Sequence, residues 1–89
     1  MRFTWNEAKR RSNLAKHGID IAAAERVFAG PTFTFLDERF AYGERRFISV
    51  GLLGETVVVV AHTESDDEVR VISMRNADRH EQTIFFESL

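Results

Sequence analysis

The order of its elements places this chain in the α+β class. Two helical patterns come first, β-branched and alternating runs fill the middle, and a third helical pattern follows them. Short turns join the successive strand patterns, so these strands must run antiparallel. A sheet of this kind buries one face beneath helices. We therefore predict two N-terminal helices, an antiparallel sheet of three to four main strands and a C-terminal helix.

Length and composition favour a single small domain over residues 1–89. The sequence has no cysteine, which excludes disulfide bonds and thiolate chemistry. Its N-terminal segment is too polar for a signal peptide, and its longest apolar run, residues 56–61, is too short to cross a bilayer. We therefore expect a cytoplasmic protein without a membrane partner.

Capping residues define the first helix. Thr4 and Glu7 have the spacing of a capping box, and Asn6 is a competing N-cap. From either start the helix runs to about His17, where Gly18 supplies the left-handed residue that ends it. The helix is only weakly amphipathic, and we expect its buried side to consist of Trp5, Ala8, Leu14 and Ala15.

Turn signals and composition define the second helix and the strands. Residues 20–28 have helical spacing behind Asp20, a favourable N-cap. Gly54 marks a hairpin turn between two long strand patterns. The predicted strands are residues 32–37, 45–53, 55–64 and 69–75, with a short one at 2–5 and a loop at 38–44.

The last helix, over residues 77–89, begins at a capping box formed by Asp78 and Glu81. Glu81 therefore has two roles that the spacing leaves open. It can bond back to the first backbone N–H groups, or it can act as a general base near a phosphate. The apolar side of this helix consists of Ile84, Phe85 and Leu89.

Arg75 ends the last strand beside the N-terminus of this helix. Free N–H groups and the helix dipole attract anions there, and an arginine adds a two-pronged phosphate donor. The alternative is a surface arginine paired with Asp78 or Glu81. Arg79 and His80 occupy the first helical turn, where the dipole disfavours cations, which points either to a function for them or to a nearby carboxylate.

His62 ends the strand over residues 55–64 and shares a sheet face with Val58 and Val60. It is either a half-buried structural histidine or a general acid or base on the sheet surface. Arg45 and Arg46 point to opposite faces, so at most one of them joins a given site. Otherwise they are solvated charges that deter edge pairing.

The charge distribution is polarised. The net charge of −2 argues mildly against a free nucleic-acid binder. Residues 1–17, however, carry five Lys or Arg against one acid, and residues 64–68 carry four acids. This polarity suits an anion on one side and a basic partner on another. The histidine spacing and the lack of a glycine-containing ligand loop argue against zinc and calcium, and we expect no cofactor.

Arginine, histidine and glutamate side chains together suit metal-independent cleavage of RNA. The 2′-hydroxyl attacks the adjacent phosphorus while a base takes its proton, a cation stabilises the phosphoryl charge and an acid protonates the leaving oxygen. The candidates for these three roles are Arg75, His62, Glu81 and His80.

The opening segment FTWNEAKRRSNLAKHGI resembles that of the BrnT family. The later segments GERRFISVGL, VVVVAHTE and VRVISMRNADRHE resemble further blocks of that family, in the same order. The resemblance implies a RelE-like fold and a ribonuclease toxin of a type II toxin–antitoxin pair that arrests translation. It also implies neutralisation by a BrnA-like ribbon-helix-helix antitoxin, through which the complex binds operator DNA.

Several positions match the family motifs. Asn13 and His17 belong to the opening motif, and His62, Arg75 and Glu81 belong to the later blocks. The residues expected to hold RNA phosphates are Lys9, Lys16, Arg45, Arg46, Arg70 and Arg79.

Two other functions stay open. The chain departs from the family pattern at Ser65, Asn76 and Phe85 or Phe86, which removes cations or polar groups. Together with the net charge, this favours a catalytically weak or inactive module that binds the antitoxin and co-represses the operon. The third possibility is an enzyme that acts on a small phosphorylated substrate, although no glycine-rich phosphate loop is present.

Overall fold

The computed structural model describes residues 1–39 and 41–89, so residue 40 of the predicted loop 38–44 lies outside the described residues. In these ranges no helix is long and apolar enough to cross a membrane. The elements are β1 (Arg2–Trp5), α1 (Glu7–His17), a 3-10 turn (Ile21–Ala23), α2 (Ala24–Phe28), β2 (Thr32–Leu36), β3 (Phe47–Leu53), β4 (Thr56–Glu64), β5 (Glu68–Asn76) and α3 (Arg79–Glu87). This order confirms the α+β class.

The sheet is mixed and has five strands in the order β1-β5-β4-β3-β2. Strands β2 to β5 pair antiparallel as predicted, but β1 pairs parallel with β5, with Phe3 opposite Val69. The prediction of an antiparallel sheet with three to four main strands was therefore wrong in these two details. That prediction relied on short turns between strands that are neighbours in the sequence. β1 and β5 are far apart in the sequence, so no turn signal indicates that they pair.

The start of α1 follows from the place where β1 ends. The Thr4 hydroxyl donates to Glu68 at 2.5 Å, so Thr4 belongs to the strand and not to a capping box. Asn6 is the N-cap instead, and its side chain accepts from the Lys9 N–H at 3.1 Å. At the other end of α1, Gly18 adopts a φ of 71° as predicted.

The predicted second helix, residues 20–28, is divided. Asp20 does cap it, but its carboxylate accepts from the Ala22 N–H at 2.9 Å and closes a 3-10 turn. α2 then begins at Ala24 and ends at Phe28. The prediction of two full N-terminal helices is corrected accordingly, because the tight Asp20 cap uses the first residues for a separate turn.

The two faces of the sheet differ, and we call them the closed face and the open face. On the closed face, the 3-10 turn and α2 cover a buried cluster that includes Val58, Val60 and Met74. On the open face, Phe85 of α3 packs in a smaller cluster with Val57, Val59 and three other buried residues, while part of that face stays accessible.

The predicted buried side of α1 was wrong, because all four of its residues are exposed: Trp5, Ala8, Leu14 and Ala15. Asn13 is buried instead. Its amide donates to the Met74 carbonyl at 2.8 Å and accepts from the Met74 N–H at 3.1 Å. Because the β1 ladder ends at Val71, Asn13 pairs the main chain of β5 beyond that point. A polar side chain thus anchors α1 where an apolar stripe was expected.

The remaining predicted boundaries differ by a few residues. β3 begins at Phe47, two residues after the predicted start, and α3 runs from Arg79 to Glu87. Leu89, predicted on the apolar side of the last helix, is 69% exposed, whereas Phe85 is fully buried. The hairpin turn at Gly54 is confirmed by its φ of 64°.

Candidate functional site

Arg75 and Glu81 form a two-pronged ion pair at the end of β5. The two terminal nitrogens of Arg75, Nη1 and Nη2, donate to the two Glu81 oxygens at 2.8 and 2.7 Å. Arg75 lies opposite Val59 in the β4–β5 ladder, and Val59 belongs to the cluster that α3 covers. The ion pair therefore lies on the open face, between the end of β5 and the first turn of α3.

Glu81 has both of the local contacts that its position permits. One of its oxygens accepts from the Asp78 N–H at 2.9 Å, and the Asp78 carboxylate accepts from the Glu81 N–H at 2.8 Å. This confirms the capping box. The hydrogen bonds from Arg75 hold the pKa of Glu81 below its usual range, so the carboxylate is ionised at neutral pH.

The capping box also determines what can bind an anion here. Asp78 and Glu81 already accept from two of the backbone N–H groups at the start of α3, and Arg75 adds accessible positive charge beside them. Nη1 of Arg75 donates a second bond, to the Asn76 carbonyl at 3.2 Å. Among the described residues no acceptor faces Nε, and the side chain is 41% exposed. Nε and the second Nη2 hydrogen can therefore form a fork to a phosphate.

A second arginine lies near Arg75, in the loop after β2. Arg39 donates from Nε and Nη2 to the buried Asp37 carboxylate at 2.9 and 3.0 Å, and the Tyr42 hydroxyl donates to the same group. These bonds hold the pKa of Asp37 well below its usual range. Asp37, Arg39 and Tyr42 were not predicted as site residues, although the acid–arginine spacing just after a strand was an available signal.

Arg46 and Arg70 share one carboxylate. Nη2 of Arg70 donates to Glu44 at 2.7 Å, and Nε of Arg46 reaches the same oxygen at 3.4 Å. The Arg46 guanidinium also lies 4.0 Å from the centre of the Tyr42 ring, and that of Arg45 lies 5.4 Å from the Phe47 ring. Glu44 thus holds Arg46 and Arg70, whereas Arg45 has only its aromatic contact among the described residues.

His62 does not join this site. It shares the closed face with Val58 and Val60, as the alternation predicted, but that face is covered and the side chain is fully buried. The expected position on the sheet surface is therefore wrong, and the grouping of His62 with Arg75 and Glu81 does not form. His80 and Arg79, by contrast, are exposed in the first turn of α3, next to Glu81.

The surroundings of His62 explain its chemical state. Nε2 lies 2.7 Å from the Ser49 hydroxyl, which lies 2.7 Å from the Thr34 hydroxyl. The Phe28 ring and the imidazole pack in a T-shaped arrangement, with ring centres 5.0 Å apart. Burial lowers the pKa of His62 to about 4, so it is neutral at pH 7. Nδ1 lies 3.4 Å from Glu64 and makes no hydrogen bond within the described residues.

Two adjoining cavities form a groove between α1 and β5, which we call the α1–β5 groove. The larger has a volume of about 320 Å³ and the smaller about 190 Å³. Lys9 and Ile72 line both cavities, Arg70 and Trp5 line the larger one, and Lys16 lines the smaller one. Three of the predicted phosphate ligands are therefore brought to one groove: Lys9, Lys16 and Arg70.

The fold and these cations define a small α+β protein whose open sheet face can engage a phosphate backbone. Residues 5–81 match the model of a family described as the ribonuclease toxin BrnT of type II toxin–antitoxin systems. The match spans most of the chain, which therefore belongs to the BrnT family of ribonuclease toxins. Membership in a type II toxin–antitoxin family implies an antitoxin partner.

A solved structure supports the same assignment. The crystal structure of the Brucella abortus ribonuclease toxin BrnT superposes with a TM-score of 0.69 at 29% sequence identity. The alignment covers 89% of this chain and 99% of the Brucella chain. No curated protein matches the chain significantly. The resemblance drawn from the sequence motifs is thus confirmed at the level of family and fold.

Proposed function

We propose that this chain cleaves RNA without a metal ion and so arrests translation, with Arg75 stabilising the phosphoryl charge. One observation carries the proposal: the Arg75 guanidinium is fixed by Glu81 on the open face and retains accessible N–H donors. A preorganised donor of this kind is worth most where charge develops in the transition state. In the family context, a BrnA-like ribbon-helix-helix antitoxin neutralises the toxin and links it to operator DNA.

In the proposed reaction the 2′-oxygen attacks the adjacent phosphorus, and the bond from phosphorus to the 5′-oxygen breaks. Nε and Nη2 of Arg75 hold the nonbridging oxygens as the charge on them rises. His80, exposed beside Glu81, is the candidate for proton transfer to or from the reacting oxygens. Glu81 serves as the base or as the group that orients Arg75. Its lowered pKa makes it a weaker base than an ordinary glutamate.

The central test compares Arg75→Ala with Arg26→Ala, which removes an exposed cation from α2 on the covered side of the sheet. Purified proteins are incubated with single-stranded RNA, and cells that express each variant are followed for growth. We expect Arg75→Ala to lower the cleavage rate by about 10²- to 10³-fold and to abolish growth arrest. Arg26→Ala should act like the parent chain. Equal activity of both variants, each folded by circular dichroism, would refute the role of Arg75.

Glu81→Gln separates the two roles of Glu81. The amide oxygen can still accept from the Asp78 N–H, so the helix cap persists while the charge on the partner of Arg75 is lost. A general base lost in this way lowers the rate by about 10²- to 10⁴-fold, with a changed pH profile. The loss of a carboxylate that only orients Arg75 should lower the rate less than the loss of a general base does, with the pH profile unchanged.

One observation favours the alternative of a weak or inactive binding module. Three arginines around the site have a carboxylate partner, in the pairs Arg75–Glu81, Arg70–Glu44 and Arg39–Asp37. RNA must compete with these acids. If the parent chain neither cleaves RNA nor arrests growth, but still binds operator DNA together with its antitoxin, this alternative is correct.

A further inference from the structure

We propose that a groove at one end of the closed face, with apolar walls and two carboxylates, holds a basic and apolar segment of the antitoxin. This groove, which we call the α2–β1 groove, lies where the end of α2 meets β1 and has a volume of about 390 Å³. The proposal rests on the antitoxin partner of the proposed function, and it adds the surface and the chemistry by which that partner attaches. Because Arg75 lies on the open face, this segment is held away from the candidate site.

The strands supply one wall of the groove. Phe3 of β1 pairs with Val69 of β5, and Val69 pairs with Glu64 of β4, so these three side chains form one row across the sheet. Val69 belongs to the buried cluster of the closed face, and Phe3 packs against that cluster. The row therefore lies on the closed face. All three residues line the groove, and the side chain of Glu64 is 40% exposed.

α2 supplies the other wall. Glu25, Phe28 and Ala29 have the spacing i, i+3 and i+4, which places them on one side of the helix, and all three line the groove. The Phe28 ring is half-buried, with its centre 5.7 Å from that of the Phe3 ring, whereas Glu25 and Ala29 are exposed. The sheet register and the helix spacing thus agree on an apolar groove with an acid on each wall.

The two carboxylates have no cationic side chain as a partner. In the part of the chain that the structure describes, Glu25 makes no ion pair, and Glu64 contacts only His62, which is neutral at pH 7. No lysine or arginine is among the described residues that line the groove. Asp37 and Glu81, by contrast, are each paired with an arginine. A lysine or arginine that enters the groove therefore displaces no existing partner.

These features together select the class of ligand. Large apolar side chains can fill the groove, and a cation beside them can pair with Glu25 or Glu64. Asp66 and Asp67, exposed in the turn after β4, extend the negative charge beyond the groove. The phosphates of a nucleic acid would be repelled here, and a neutral apolar molecule would leave both carboxylates unpaired. A basic protein segment with large apolar residues satisfies the whole surface.

A charge reversal on α2 tests the electrostatic part of the proposal. The probe is the cognate ribbon-helix-helix antitoxin, titrated into this chain in a calorimeter. Glu25→Lys should weaken the affinity by about tenfold at low salt and by less at high salt, because the attraction between exposed charges is screened. Glu87→Lys changes the net charge equally at the exposed end of α3 and should have a smaller effect. Equal losses in the two variants, or no binding by the parent chain, would overturn the proposal.

A bulky side chain tests the apolar part. Ala29→Trp places an indole in the groove and should weaken antitoxin binding by at least about tenfold, because it fills the space of an apolar anchor. Ala15→Trp adds the same group to an exposed position of α1 and should bind like the parent chain. Both variants, checked by circular dichroism, should cleave RNA at the parent rate. If Ala29→Trp binds as tightly as Ala15→Trp, the groove is not the docking surface.

Two of the histidines report where the antitoxin binds. His62 is buried behind the groove, with its ring centre 5.0 Å from that of Phe28 and its Nδ1 3.4 Å from Glu64. His80 is exposed on α3, at the open face. When only this chain carries 15N, binding of the antitoxin should shift the imidazole signals of His62. A shift of His80 without a shift of His62 would place the antitoxin on the open face and overturn the proposal.

A second copy of this chain is the competing occupant of the groove. If Ala29→Trp abolishes a dimer of the free chain in light scattering and leaves the antitoxin affinity unchanged, the second copy is the occupant and the proposal is wrong.

The proposed function and the docking proposal fail in different ways. If the parent chain cleaves no RNA, but Glu25→Lys and Ala29→Trp weaken the antitoxin complex and their controls do not, the proposed function fails and the docking surface stands. If the chain cleaves RNA and Arg75→Ala abolishes cleavage, but both groove variants bind the antitoxin like the parent chain, the docking surface is wrong while the proposed function stands.

Discussion

The closed and open faces of the sheet place similar chemical groups in opposite circumstances. On the closed face His62 and Ser49 are fully buried beneath α2 and bonded to each other. On the open face Arg75 and Glu81 pair within reach of solvent, between the sheet and a short helix. Burial keeps the histidine neutral and inaccessible, whereas partial exposure leaves the arginine charged and able to bind.

The difference teaches that residue type alone does not indicate a catalytic role in this fold. Histidine is the side chain that titrates nearest neutral pH, and it often serves as acid or base. Here the covered face makes His62 part of the packing, while an arginine with a carboxylate partner occupies the accessible face. We therefore expect substitutions on the closed face to act mainly on stability and those at Arg75 mainly on activity.

The largest expected effect tests whether the open face also depends on a buried anchor. Phe85 of α3 is fully buried, and its neighbour Phe86 is 55% exposed. Phe85→Ala should lower the free energy of unfolding by about 3–5 kcal/mol, because it leaves a cavity under the helix that carries Glu81. Phe86→Ala should change it by less than about 1 kcal/mol. Urea denaturation of both variants measures the difference, and equal losses would contradict the assigned anchor.

The next effect is acid destabilisation through His62. Its pKa is about 4 in the folded protein and near 6.5 when unfolded, so the unfolded chain binds more protons between these values. The free energy of unfolding should therefore fall as the pH falls from 6.5 to 4, by up to about 3 kcal/mol. Denaturation at several pH values should show this slope in the parent chain and a much smaller slope in His62→Gln. Identical slopes would mean that His62 is not buried in its neutral form.

A close contact on the closed face predicts a further loss of stability. A Cβ atom at Gly51 would lie 2.8 Å from Cγ1 of the buried Val27 and 3.3 Å from the Pro31 carbonyl. Gly51→Ala should therefore push α2 from the sheet, with a loss of about 1–3 kcal/mol. Gly30→Ala, where the nearest atom is 3.9 Å away, is the control and should be near neutral. Thermal unfolding of the two variants measures the difference, and an equally small loss of stability in both would contradict the close contact at Gly51.

The smallest effect concerns the cap of α3. Asp78→Ala removes the side chain that accepts from the Glu81 N–H, which should destabilise the protein by about 1 kcal/mol. Hydrogen exchange should speed up in the first turn of α3 and remain unchanged in β3. Asp66→Ala, in the exposed turn before β5, should have no such effect. Unchanged exchange in Asp78→Ala would show that Arg75 alone holds Glu81.

Local signals predicted much of the fold. The caps at Asp20 and Gly18, the turn at Gly54 and the capping box of Asp78 with Glu81 each depend on a few neighbouring residues, and all are confirmed. The parallel partner of β1 was missed because a strand pattern does not specify a distant partner. Asn13 was known as a motif residue, but its bonds to Met74 depend on where β1 ends.

In the candidate site, too, features set by neighbouring residues were predicted and features set by the whole fold were not. The pairing of Arg75 with Glu81 was one of two readings of a short segment, and the structure combines it with the helix cap. The face shared by His62 was predicted correctly, but which face the helices cover depends on the whole fold. Arg39 and Tyr42 were missed because the loop path after β2 has no periodic signal.

The parallel pairing of β1 with β5 has a consequence for the order of assembly. Residue 3 meets residue 69, so the first strand cannot dock until most of the chain has left the ribosome. Contacts this distant in sequence slow folding, because a long loop must close before they form. Arg75 and Glu81 likewise come together only after α3 has been made. The nascent chain therefore carries no assembled site, and emission from Trp5 during refolding would time the step at which β1 docks.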